Sequence, residues 1–164
     1  MDKETEVGPL ISTDEVDRIE EWVKEASDAG GKILCGGKRI SDTCYAPTVI
    51  YNPPQDTKIS KEEVFGPVVC IYPYTDRQEA IDIANGLEYH FQAAVFTKNI
   101  DIAMECVQKL NATAVMVNDH TAFRVDWMPF GGRDASGEGL GGIPYSMHEM
   151  TRIKMMVIKS EGIL

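Results

Sequence analysis

Lys61-Glu62-Glu63-Val64-Phe65-Gly66-Pro67-Val68 crowds charge, an aromatic ring and backbone-shaping residues more tightly than any other segment of the chain. Its carboxylates can accept hydrogen bonds from hydroxyl groups. The phenyl ring of Phe65, two residues beyond Glu63, offers a flat apolar face suited to a ribose or a heterocycle. Gly66 and Pro67 then turn the chain into Val68-Val69-Cys70-Ile71-Tyr72, a continuous apolar run with the pattern of a strand buried on both faces. Local chemistry leaves two readings open: a ligand-facing turn, or a charged helix end that turns into a buried strand.

On the amino-terminal side, Ser12-Thr13-Asp14-Glu15 reads as a capping box, and Val16, Ile19, Val23 and Ala26 follow at helical spacing. Gly30-Gly31 ends this helix. Lys32-Ile33-Leu34-Cys35, between glycine pairs, predicts a short strand, and residues 45–51 predict another, which Pro47 places near an edge. On the carboxyl-terminal side, Thr75-Asp76-Arg77-Gln78 opens a helix with Ala80, Ile81, Ala84 and Leu87 as its buried stripe, ending at Asn85-Gly86. Residues 91–96 predict a strand, and Asn99 caps a helix whose Ile102, Ala103, Cys106, Val107 and Leu110 face a core. Residues 113–117 predict the next strand, 144–150 a short helix, and 153–158 a nearly all-apolar strand that must pair with something. Strands alternating with amphipathic helices imply crossover units, hence an α/β fold with a mostly parallel sheet flanked by helices.

The stretch around Glu63 resembles the E-E-[IV]-F-G-P-V motif of the NAD(P)-dependent aldehyde dehydrogenase superfamily. Thr5-Glu6-Val7-Gly8-Pro9-Leu10-Ile11 resembles the family's T-E-x-G-P-[LQ]-[IV] segment, and Ala93-Ala94-Val95-Phe96-Thr97 its A-A-V-F-T strand. Val117-Asn118, then Pro129-Phe130-Gly131-Gly132 and Ser136-Gly137-Glu138-Gly139, resemble V-N followed by P-F-G-G-x(3)-S-G-x-G. The resemblance covers nearly the whole chain, in the family's order. It implies that Glu63 binds the ribose beside the nicotinamide of NAD or NADP, that Phe65 packs near the nicotinamide, and that Phe130 lines the substrate pocket. It also implies that residues 1–150 form the later half of a catalytic domain and 151–164 an oligomerising strand and tail, so that a homo-oligomer through residues 151–159 is expected.

Residues 118–142 lack a convincing regular pattern, and loops of this length in compact domains are usually functional. His120 and Arg124 flank Phe123 in this loop, and Trp127, Met128 and Phe130 continue an apolar wall. A guanidinium fork matches carboxylate or phosphonate geometry, which suggests a substrate with a negative group; an ion pair from Arg124 to Asp126 explains the arginine equally well. Gly137-Glu138-Gly139-Leu140-Gly141-Gly142 satisfies G-x-G-x-x-G, but no strand precedes it, so these glycines more plausibly let the loop pass close to another backbone.

Sixteen basic against 26 acidic residues give a formal charge of −10, which argues against nucleic acid as a partner. No apolar run approaches a membrane span, and the acidic amino terminus lacks an apolar signal region, so a cytoplasmic location is the expectation. Cys35, Cys44, Cys70 and Cys106 show no metal or dithiol spacing and read as inert thiols, mostly among apolar neighbours. The family's nucleophile segment, G-Q-x-C, is not found among these residues, nor is its general-base glutamate or cofactor domain. The isolated chain is therefore expected to be inactive and to hold no cofactor by itself, its alternative role being a scaffold that pairs with full-length subunits.

Overall fold

The computed structural model describes residues 3–162, which form two compact units divided between Glu88 and Tyr89. In the first, helix α1 spans Thr13–Asp28, and the Ser12 hydroxyl caps it by accepting from the Glu15 amide. Its predicted stripe of Val16, Ile19, Val23 and Ala26 is buried in full. These side chains meet Tyr45, Ile50 and Ile59, with Leu10, Trp22, Ile33, Val64, Val68 and Cys70 packed around them. Each fully buried valine or isoleucine contributes about 2 kcal/mol, so this one helix face is the main stabiliser of the unit.

Against α1 lies a three-stranded sheet in the order β1 (Lys32–Cys35), β2 (Thr48–Tyr51), β3 (Val68–Ile71). The β1–β2 pair is antiparallel and the β2–β3 pair parallel, with Thr48 opposite Val68 and Tyr51 opposite Ile71. A single turn of helix, α2 (Lys58–Lys61), lies within the β2–β3 crossover. Two expectations are corrected here. The strand after Pro47 is central, not at an edge: Pro47 precedes the ladder, whose first amide, that of Thr48, donates to Pro67 O, so the missing N–H costs nothing. Nor is β3 buried on both faces. Val68 and Cys70 turn toward α1, whereas Val69 and Ile71 are 60% and 43% exposed. Helix α3 (Arg77–Asn85) closes the unit, capped by Asp76, which accepts from the Gln78 and Glu79 amides. Of its expected stripe only Ile81 is buried; Ala84 stays exposed.

The second unit holds β4 (Tyr89–His90), β5 (Gln92–Val95), α4 (Ile100–Lys109), β6 (Ala114–Val117), β7 (Arg133–Asp134) and α5 (Ile143–Glu149). Strands β5 and β6 pair in parallel with α4 as their crossover, and Asn99 caps α4 through the Asp101 and Ile102 amides. Ala103 and Cys106 are the buried residues of α4, while Val107 is exposed. The short pair β4–β7 is antiparallel. The fold is thus α/β, with helices on parallel crossovers, but its strands form small mixed sheets. The strand expected at 153–158 is not formed: residues 151–160 form neither helix nor strand and are exposed throughout, with no ladder partner among the described residues. No helix among the described residues is long and apolar enough to cross a membrane.

Candidate functional site

The turn between α2 and β3 is built by alternation. Val64 packs against the core beneath it, and its carbonyl accepts a 2.7 Å hydrogen bond from Arg18 Nη2 on α1. Gly66 sits on the same helix: a Cβ there would lie 2.2 Å from Ile19 Cδ1 and 3.6 Å from Leu10 Cδ2. With residues 64 and 66 tied inward, Glu63 and Phe65 are thrown outward, and both are exposed. Phe65 adopts the left-handed conformation, φ 46°, and the residue is 78% exposed. An aromatic residue rarely sits there unless its surroundings dictate it, and strain of this kind clusters at ligand-binding positions. Glu63 has no hydrogen-bond or ion-pair partner among the described residues, so both its oxygens are available as acceptors. A carboxylate beside a bare ring fits the ribose and nicotinamide roles implied by the sequence motif.

The loop residues belong to the second unit. Arg124 does not pair with Asp126; its guanidinium carbon lies 4.0 Å from the ring centroid of Phe130. Phe130 in turn meets Phe91 edge-to-face, centroids 5.0 Å apart. This contact leaves its N–H groups free of any carboxylate among the described residues. His120 is engaged within its own turn: Nδ1 accepts from the Ala122 amide at 3.1 Å, and Asp119 Oδ1 lies 3.9 Å from Nε2. With Nδ1 accepting from the Ala122 amide, Nε2 is the nitrogen left to donate. The structure thus joins Arg124 to Phe130, whereas Glu63 and Phe65 lie in the other unit.

The glycine run behaves as a close-passing loop. Phe130 and Gly141 exchange backbone hydrogen bonds of 3.1 and 2.6 Å. A Cβ on Gly131 would lie 2.5 Å from Gly139 O, and one on Gly132 2.2 Å from Ser136 O. Backbone cannot yield at such distances, so glycine is required at both positions.

Sequence reasoning missed how the A-A-V-F-T and V-N segments interlock. Val95 lies opposite Val117, and the side chain of Asn118 spans the ends of both strands, accepting from the Thr97 amide at 2.8 Å and donating to Thr97 O at 2.9 Å. Its φ of 59° suits asparagine. An open cleft of about 830 Å³ lies there, lined by Phe96, Thr97, Lys98, Asn99, Ile100 and Asn118, none of them singled out as a ligand contact from the sequence.

The thiols are less buried than their neighbours in the sequence implied. Cys106 is buried, Cys44 and Cys70 are half-buried and Cys35 is exposed. Burial pushes the Cys70 thiol up, opposed by its hydrogen bond with Tyr72. No cysteine has a lysine, arginine or histidine partner among the described residues, and no three metal-ligating side chains gather to hold an ion.

The model of the aldehyde dehydrogenase family matches residues 1–156. Over 158 residues, 96% of the chain, it is 42% identical to 3-sulfolactaldehyde dehydrogenase of Priestia megaterium and to lactaldehyde dehydrogenase of Methanococcus maripaludis. It spans about a third of these relatives, 33% and 34% of their lengths. Among solved structures it is similar to aldehyde dehydrogenase 21 from Physcomitrella patens in complex with the reaction product succinate, with TM-score 0.93 and 39% identity, covering 100% of this chain and 34% of that one. It is also similar to glyceraldehyde-3-phosphate dehydrogenase from Methanocaldococcus jannaschii complexed with NADP, with TM-score 0.90 and 41% identity, covering 98% and 34%. On the family match and the shared fold together, the chain belongs to the aldehyde dehydrogenase family.

Proposed function

We propose that the chain serves as the later part of the catalytic domain, residues 1–150, of an enzyme that oxidises an anionic aldehyde to a carboxylic acid with NAD or NADP, and that residues 151–164 form its oligomerising tail. The observation that supports it most is the pairing of an exposed Glu63 carboxylate with the outward Phe65 ring on the family's motif. When bound, the nicotinamide supplies the hydride acceptor. Glu63 would accept the ribose hydroxyls, Phe65 would cover one face of the ring, and both would exclude water there. In the other unit, Phe130 would line the aldehyde pocket and Arg124 would take the substrate's anionic group, with the His120 Nε2–H as a further donor. Relatives named for sulfolactaldehyde and glyceraldehyde 3-phosphate, and one holding succinate, all handle anions, whereas lactaldehyde is uncharged.

In this reading the nucleophile and general base are not among these residues, because no cysteine here has a thiolate-stabilising partner. The purified chain, given glyceraldehyde 3-phosphate and NAD or NADP, is therefore expected to form no reduced cofactor. A chimera in which the chain replaces the matched third of the Methanocaldococcus jannaschii enzyme is expected to turn over. Turnover by the chain alone, or a folded but dead chimera, would refute the reading.

The scaffold reading is favoured by one observation. Ile153 is 97% exposed, and Met155, Met156, Val157 and Ile158 between 66% and 82%. An apolar segment without a ladder partner among the described residues is a template for another chain. The chain is expected to self-associate or to co-purify with the full-length Methanocaldococcus jannaschii enzyme, and to do neither when residues 151–164 are deleted. Sedimentation velocity of both forms checks this, and unchanged behaviour on deletion would remove the tail from the interface.

A further inference from the structure

We propose that Arg18 is a positioning residue for the cofactor turn, resting on the reading of Glu63 and Phe65 given above. Arg18 stands on the face of α1 next to the core stripe, only partly exposed, and is held in place on three sides. Its Nε and Nη2 both donate to Glu15 Oε2, at 2.8 and 2.5 Å. Its guanidinium carbon lies 4.4 Å from the ring centroid of Trp22, one helical turn further on. Nη2 also donates to Val64 O. Glu15 is itself fixed at the capped first turn, where its amide donates to Ser12 Oγ. The helix start, the carboxylate, the guanidinium and the turn thus form one hydrogen-bonded chain.

The consequence falls on residues on either side of Val64. A carbonyl held at 2.7 Å fixes the peptide plane between Val64 and Phe65, which sets the backbone from which Phe65 enters its left-handed conformation. Gly66, seated on Ile19, fixes the other side. Without the guanidinium, Val64 O loses its donor and Phe65 is free to relax toward ordinary φ, swinging its ring away from the Glu63 side. Arg18 is bonded to neither the Phe65 ring nor the Glu63 carboxylate, so its role is to hold those two in one arrangement. A charged donor on a carbonyl, locked by its own carboxylate, is stiffer than a neutral hydrogen bond in the same place.

The test uses two variants. Arg18→Met keeps the apolar stem over Trp22 and removes the donor, whereas Arg18→Lys returns one N–H to the Val64 carbonyl. In the chain itself, chymotryptic cleavage after Phe65 requires the turn to open, because a protease binds its substrate extended. Arg18→Met is expected to speed this cut about tenfold relative to the cut after buried Tyr45, an internal gauge of global unfolding. In the Methanocaldococcus jannaschii chimera, the Kd for NADPH, read by its fluorescence, is expected to rise about tenfold, with the KM for glyceraldehyde 3-phosphate changing less than about twofold. Arg18→Lys should restore much of both.

Equal acceleration at Phe65 and Tyr45, or parallel rises in NADPH Kd and aldehyde KM, would mean a merely structural role and overturn the proposal. Unchanged NADPH affinity in Arg18→Met has the same effect. Glu63→Gln and Phe65→Ala serve as separate controls. If neither weakens NADPH binding, the cofactor reading of the turn fails and the role of Arg18 with it; if both do while Arg18→Met does not, only the positioning role fails.

Discussion

Replacing Ile19 with alanine is expected to destabilise the amino-terminal unit by about 3–4 kcal/mol, and Gly66→Ala placed on top of it is expected to return part of that loss. Ile19 is 0% exposed and central to the apolar cluster that joins α1 to the sheet. Removing its branched stem leaves a cavity that the helix and sheet cannot both move to fill. Gly66→Ala alone should cost about 1–3 kcal/mol, because its methyl would meet Ile19 Cδ1 at 2.2 Å and Ile19 is itself buried. In the double variant the offending atom is gone and the new methyl enters the void, so the two costs should fall short of additivity by about 1 kcal/mol or more. Urea unfolding followed by Trp22 fluorescence, with Trp127→Phe to silence the other of the two tryptophans, measures all four corners of the cycle. Strict additivity would mean that Ile19 and Gly66 do not share a packing site, and the account of how α1 shapes the turn would fall.

How much of this was legible depends on whether the cause of each feature is local. Helix α1 could be read residue for residue, since its cap, its stripe and its glycine stop all act within a turn or two. The cap at Asn99 was read in the same way, whereas the pattern opening at Thr75 is capped one residue later, by Asp76. Pro47 misled because a proline reveals a missing amide but not whether the ladder begins before or after it. The apolar run of β3 did announce two apolar faces, yet periodicity cannot say whether this chain supplies a second layer, and Val69 and Ile71 lie bare. The segment 153–158 failed as a strand for the same reason: an apolar strand needs a ladder partner, and none is present among the described residues. In the candidate site, residue type tells what Glu63, Phe65 and Arg124 could offer a ligand. What orients them was not: Arg18 and Val64 are 46 residues apart, and the Phe130 ring chosen by Arg124 over Asp126 leaves no trace in local spacing.

That choice decides the outcome expected for the substrate. Had Arg124 been neutralised by Asp126, a substrate anion would have to break an ion pair before binding. Instead the guanidinium lies 4.0 Å over Phe130, which is itself braced by Phe91, so its donors are oriented without being consumed. A phosphate, sulfonate or carboxylate can then take two parallel N–H bonds at once. In the chimera, Arg124→Ala is expected to raise the KM for glyceraldehyde 3-phosphate about 10- to 100-fold, the loss of a charge-assisted contact, and the KM for uncharged glyceraldehyde less than about threefold. Arg124→Lys should recover only part of the difference, because an ammonium keeps the charge but neither stacks flat nor forks. Raising the salt concentration should narrow the gap between the two substrates for the unsubstituted chimera and leave it unchanged for Arg124→Ala. Equal KM increases for both aldehydes would show that Arg124 acts only by bracing Phe130, and the anion-binding role would have to be abandoned while the place of Phe130 in the pocket wall still stood.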